Sequence, residues 1–142
     1  MIEITDEPID HARWTDRVRS PEAGAVCTFL GTTREVTGTR RTATLDYEAY
    51  GPMALRRLEA LEQEARGRWP LIATAIVHRV GRVDPGEISV VVAVSSPHRC
   101  DAFEACAWLM DEIKRDVPIW KRESWTDGSR EWVHPGIDPQ SS

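Results

Sequence analysis

The chain has 142 residues, 41% of them apolar and 29% charged, and a formal net charge of −5. That length suits one domain with a real hydrophobic core, and the balance is that of an ordinary globular protein. No apolar run approaches the roughly 20 residues of a membrane helix, and the negative balance argues against nucleic acid as a partner.

The acidic opening, MIEITDEPID, lacks the basic-then-apolar order of a signal peptide and points to the cytoplasm. A short strand is expected over Ile2–Thr5. A helix follows from Pro8 to about Val18, with Ile9, Trp14 and Val18 as its apolar contacts. After a turn at Ser20–Gly24, the β-branched and aromatic run Ala25–Leu30 reads as a buried strand ending at Gly31. Thr32–Thr42 is polar, centred on Gly38, and reads as a mobile loop; Ala43–Tyr50 returns to strand alternation. Pro52 opens a helix to about Trp69, with Met53, Leu55, Leu58, Leu61 and Ala65 at helical spacing.

Ile72–Val80 and Ile88–Ser95 are two strong strands, joined as a hairpin around Asp84-Pro85-Gly86-Glu87, and Ile88–Ser95 is apolar enough to be buried on both faces. In the next helix, Arg99–Asp116, the residues Ala102, Cys106, Leu109, Ile113 and Val117 make a continuous apolar stripe that Pro118 stops. Ile119–Trp125 and Ser129–Val133 form a last hairpin across Asp127-Gly128. The sum is an α+β domain with a mostly antiparallel sheet and two or three helices on one face. No repeat, linker or composition shift marks a second domain, so residues 1–134 form one domain and 135–142 a polar tail.

Three cysteines without a CxxC pair suggest neither a disulfide framework nor a zinc site. Cys27 and Cys106 read as inert core thiols; Cys100 follows His98 and Arg99 but has no identifiable base. The four histidines are too scattered for a metal centre, and there is no phosphate loop or HExxH motif. His98 and Arg99 stand where a buried strand passes into a helix, a place where backbone N–H groups face an anion. Alternatively, His98 only caps the helix or fills space. Arg34 is another candidate anion ligand or a plain surface arginine. Lys114, in the last turn of its helix, is either one more solvated lysine or a functional one. Strand alternation sends Lys121 to the face opposite Trp120 and Arg122. Two lysines and an arginine sharing one pocket would repel, lowering a lysine's pKa and freeing a neutral amine.

The stretches GAVCTFLGTTR (24–34), LDYEAYGPMA (45–54), RWPL (68–71), IVHRVGRVDPGE (76–87), VVAVSSPHRCDAFEA (91–105), DEIKRDVPIWKRE (111–123) and DGSREWV (127–133) resemble the molybdopterin synthase large-subunit (MoaE) family in order and spacing. The combination of VHRVG, SxHRxxAFEA and PIWKRE is the specific part. The resemblance implies an α/β-hammerhead-type fold and a sulfurtransferase that works as a homodimer, or as a 2:2 heterotetramer with a small ubiquitin-like sulfur carrier. The carrier's C-terminal Gly-Gly thiocarboxylate would sulfurate cyclic pyranopterin monophosphate twice, giving the molybdopterin dithiolene with no metal or organic cofactor. By the same resemblance Lys114 and Lys121 are catalytic. Arg34, His98 and Arg99 bind anionic substrate, partly across the dimer, and Met110 and Glu123 line the pocket. Relatives often continue past the WV segment with basic residues that can reach the neighbouring active site, whereas here the chain reads His134-Pro135-Gly136 and loses charge. Two other readings are a family member that only docks a ubiquitin-like partner and an unrelated phosphate-ester enzyme. The first would not need Lys114, Lys121, His98 and Arg99 together; the second needs a base or metal ligands that the sequence lacks.

Overall fold

The computed structural model describes residues 1–133. The expected domain end at His134 and the expected polar tail, 135–142, lie outside the described residues. In chain order the elements are β1 (Ile2–Thr5), α1 (His11–Val18), β2 (Ala25–Thr32), β3 (Val36–Thr37), β4 (Arg40–Ala49) and α2 (Gly51–Arg68), followed by β5 (Ala73–Arg79), β6 (Gly81–Val83), β7 (Ile88–Ser96), α3 (Arg99–Asp116), β8 (Ile119–Trp125) and β9 (Arg130–Val133). The fold is α+β, with mostly antiparallel strands in two sheets.

The first sheet has the order β1-β5-β7-β2, parallel only between β1 and β5. Its central strands β5 and β7 carry apolar side chains on both faces. Ile76, Val92 and Val94 pack with Leu58 and Leu61 of α2 and with Leu109 and Ile113 of α3. Ala75, Val77, Val91 and Ala93 pack with Trp14 and Val18 of α1. Helices therefore cover both faces of this sheet, not one as expected. A strand that alternates apolar with apolar needs cover on each side. Leu58, Leu61 and Leu109 are fully buried, and each contributes about 1.5–3 kcal/mol by leaving water.

The other sheet runs β3-β4-β8-β9, with β6 also on β4. Two sequence expectations change here. Thr32–Thr42 is not a loop: β3 and β4 form a hairpin across Gly38, whose φ of 62° is the left-handed conformation that glycine tolerates. β5 and β7 do pair antiparallel, but β6 stands between them and joins β4, opposite Leu45–Tyr47. The Asp84–Glu87 turn thus links β6 to β7, closed by the Glu87 amide donating to the Asp84 carbonyl at 3.0 Å.

Two boundaries also move. Helix α1 starts at His11, not Pro8, because the Asp10 side chain caps it by accepting from the Arg13 amide at 3.3 Å. Strand β2 continues through Gly31 to Thr32, past its expected end. A Cβ on Gly31 would stand 2.4 Å from Val90 Cγ1, so glycine is what lets β2 lie this close to β7.

In α3 the expected stripe is buried, and the helix ends at Asp116, with Val117 as its C-cap just before Pro118. Cys106 sits in that stripe with its thiol 3.7 Å from the Val92 carbonyl, and burial first of all pushes its pKa up to about 12. It is inert as a nucleophile at neutral pH. Among the described residues no helix is long and apolar enough to cross a membrane.

Candidate active site

A cavity of about 330 Å³ lies where the end of α3, strand β2 and its exit, and the β4 and β8 strands of the other sheet meet. Its position follows from local sequence. Pro118 ends α3 one turn after Lys114, and the chain turns at once into β8, which carries Lys121 back beside the helix end. Ile119, Lys121 and Glu123 line the cavity, while Trp120 and Arg122 take the other face of β8. Arg122 lies 5.5 Å from the Trp132 ring and 3.5 Å from an Asp46 oxygen. Across the ladder Tyr47 stands opposite Lys121, and Leu45 opposite Glu123.

Five of the seven expected site residues, Arg34, Met110, Lys114, Lys121 and Glu123, line this one cavity. The electrostatic consequence of their meeting is the one expected from the sequence. The Lys114 pKa is lowered, first by burial, then by the charges of Lys121 and Arg34, with Asp111 opposing. Lys114 therefore releases its proton more readily than an ordinary lysine, inside a site whose net charge attracts anions. Glu123 is 7% exposed, and the Thr42 hydroxyl donates to its carboxylate at 2.6 Å.

His98 and Arg99 are not brought to this cavity by their own chain. Both are exposed at the N-terminus of α3, and Arg99 stands roughly 22 Å along the helix from Lys114 at 1.5 Å per residue. His98 occupies the cap position without a side-chain capping bond, and its carbonyl accepts from Ser96 Oγ at 2.6 Å. The side chain is not spent on the helix.

The polar lining residues with no role assigned from sequence include His78, Tyr47 and Ser89. His78 is 6% exposed, its Nδ1 lies 2.8 Å from the Arg79 carbonyl oxygen, and its ring meets Tyr47 edge-on at 5.2 Å. Burial lowers its pKa to about 4, against the opposing pull of that carbonyl. Burial raises the Tyr47 pKa, opposed by a hydrogen bond with Ser89 and helped by the Glu123 charge. The signal for His78 is its place inside IVHRVG, but a lone histidine in an apolar run more often fills a core. Among the described residues no group of three or more His, Cys, Asp or Glu side chains is placed to hold a metal ion.

The chain matches the family model described as MoaE protein over residues 4–116. The molybdopterin synthase catalytic subunit of Halalkalibacterium halodurans is 45% identical over 138 residues, covering 97% of this chain and 88% of that protein. A chain of the crystal structure of molybdopterin synthase from Staphylococcus aureus superposes with a TM-score of 0.87 at 41% identity, over 92% of this chain and 94% of that one. A chain from the complex of subunits 1 and 2 of molybdopterin-converting factor of Helicobacter pylori shares the fold at 19% identity, with a TM-score of 0.77 over 93% of this chain and 89% of that one.

Proposed function

The chain belongs to the MoaE family, and we propose that it is the catalytic subunit of a cytoplasmic molybdopterin synthase, a sulfurtransferase. In this reading a small ubiquitin-like carrier presents its C-terminal Gly-Gly thiocarboxylate, and two sulfur transfers convert cyclic pyranopterin monophosphate into the molybdopterin dithiolene. The observation that carries the reading is the depressed lysine: Lys114 beside Lys121 and Arg34, in one cavity walled by Met110, Ile113 and Ile119.

Each group then has a task. Lys114 exchanges protons with the reacting atoms, because its amine gives up a proton more readily than a solvated lysine. Lys121 and Arg34 hold the thiocarboxylate and the phosphate and stabilise charge as the cyclic phosphate opens. The carrier tail must end in contact with Lys114 and Lys121, since a sulfur attacks only what it touches. Glycines suit that tail because backbone passes where side chains would clash.

The exposed His98 and Arg99 serve a neighbouring protomer's cavity in a homodimer, and two carriers complete a 2:2 assembly. The family's name for its curated members, catalytic subunit, and the two-subunit Helicobacter pylori complex support a small-subunit partner. The test is turnover with thiocarboxylated carrier and cyclic pyranopterin monophosphate. Dithiolene should form with the native chain and not with Lys114→Ala or Lys114→Arg, since arginine does not give up its proton. A chain that binds carrier and yields no product would be a docking protein instead.

A further inference from the structure

The cations of the cavity explain how an anion is held, but they do not explain how a particular heterocycle would be chosen. His78 supplies a group of the other kind. A backbone carbonyl can only accept, so the 2.8 Å contact with Arg79 fixes the hydrogen on Nδ1. The ring's remaining polar atom, Nε2, is then a bare acceptor on a side chain that lines the cavity and is more than nine-tenths buried. Among the described residues no acidic partner holds the ring: its polar contact is the Arg79 carbonyl, and its ring meets the edge of Tyr47. The imidazole is therefore neutral at physiological pH, in keeping with its pKa of about 4.

We infer that His78 is a specificity-determining residue of this cavity, whose Nε2 accepts a hydrogen bond from a ring or amino N–H of the substrate's heterocycle. The inference rests on the synthase reading above and adds to it the recognition of the uncharged part of the substrate. A reduced pterin carries several N–H donors, and a neutral acceptor reads them without competing with the cations for the phosphate. An acceptor left unmet in a buried site discriminates against analogues that lack the donor.

Two substitutions separate recognition from packing, because they keep opposite halves of the imidazole. His78→Asn retains a donor at the Nδ1 position, toward the Arg79 carbonyl, and removes the acceptor. His78→Gln extends an amide to the Nε2 position and forfeits the bond to Arg79. Calorimetric binding of cyclic pyranopterin monophosphate to the chain without carrier should weaken roughly tenfold for His78→Asn. His78→Gln should stay nearer the native value, and carrier affinity should not move in either. A purely structural histidine predicts the reverse order, with His78→Gln the worse binder and the less stable protein, and that order overturns the inference. In the unsubstituted chain with ¹⁵N-labelled histidine, the bare Nε2 resonance should move upfield when the pterin saturates the site. A resonance that stays put while the pterin binds refutes His78 alone. A native chain that does not bind the pterin at all refutes the synthase reading and this inference together.

Discussion

Replacing Lys114 by methionine should make the protein more stable while it destroys activity. Lys121 and Arg34 line the same cavity as Lys114, and their charges are taken to act on it from about 7 Å. At an effective dielectric between 20 and 80, each like-charged pair at that distance repels by roughly 0.6–2.4 kcal/mol. Lys114 faces two such charges, Lys121 and Arg34, and burial, the largest cause of its lowered pKa, acts in the same direction. The side chain is only half-buried, so solvent screening reduces the sum to about 2 kcal/mol. Against that stand the loss of a cation in the last turn of α3, worth about 0.3–1 kcal/mol, of the Asp111 attraction, and of the further interaction that Lys114 makes.

The net expectation is a gain of about 1 kcal/mol, which raises the thermal midpoint by about 2–4 °C. Its pH dependence has a definite sign. A lysine whose folded-state pKa is depressed destabilises the fold below that pKa. The penalty fades as pH rises through it, and none remains above the ordinary lysine value of 10.5. The advantage of Lys114→Met should therefore be full at pH 7, vanish above that value, and shrink in high salt. Thermal denaturation at pH 7 and pH 11, in low and high salt, reads all three. A variant less stable than the native chain by about 1 kcal/mol or more would refute the cation-cluster reasoning, as would a gain indifferent to salt.

Three further outcomes follow from the same geometry. Lys121→Gln removes the largest source of repulsion after burial itself and so raises the Lys114 pKa; the pH at which single-turnover sulfur transfer rises should move upward, and an unmoved profile means that the Lys114 proton does not limit the rate. Thr42→Val deprives the buried Glu123 carboxylate of its 2.6 Å donor and should cost about 1.5–3 kcal/mol in urea denaturation, so a change under about 0.5 kcal/mol means that the bond does not stabilise the fold. Arg99→Ala should weaken pterin binding more than carrier binding, and mixing it with Lys114→Ala should regain about a quarter of native activity, because each mixed dimer rebuilds one of its two sites; two inactive variants that stay inactive when mixed exclude a shared site.

The parts of this structure that were legible in the sequence are those with a long period. The α3 stripe and its stop at Pro118 could be read directly, as could the apolar runs of β5 and β7. The alternation that turns Lys121 away from Trp120 was visible for the same reason. Strands of two or three residues have no period to read: Val36–Thr37 and Gly81–Val83 are strands only because β4 offers them partners. That β7 is apolar on both faces was evident, but which helix covers which face is decided by packing far along the chain. The convergence of Arg34 with Lys114 and Lys121 followed from charge and resemblance together. His78 did not stand out, because a histidine buried for packing and one buried to face a cavity have the same sequence around them.

Whether Lys114 carries sulfur transfer is decided by supplying the purified chain with thiocarboxylated carrier and cyclic pyranopterin monophosphate and measuring the dithiolene formed, beside Lys114→Ala at equal folded concentration. The native chain should transfer two sulfurs per pterin and the variant should give no product, with carrier still bound by both. Product from Lys114→Ala at a near-native rate, or none from the native chain, would contradict the assignment.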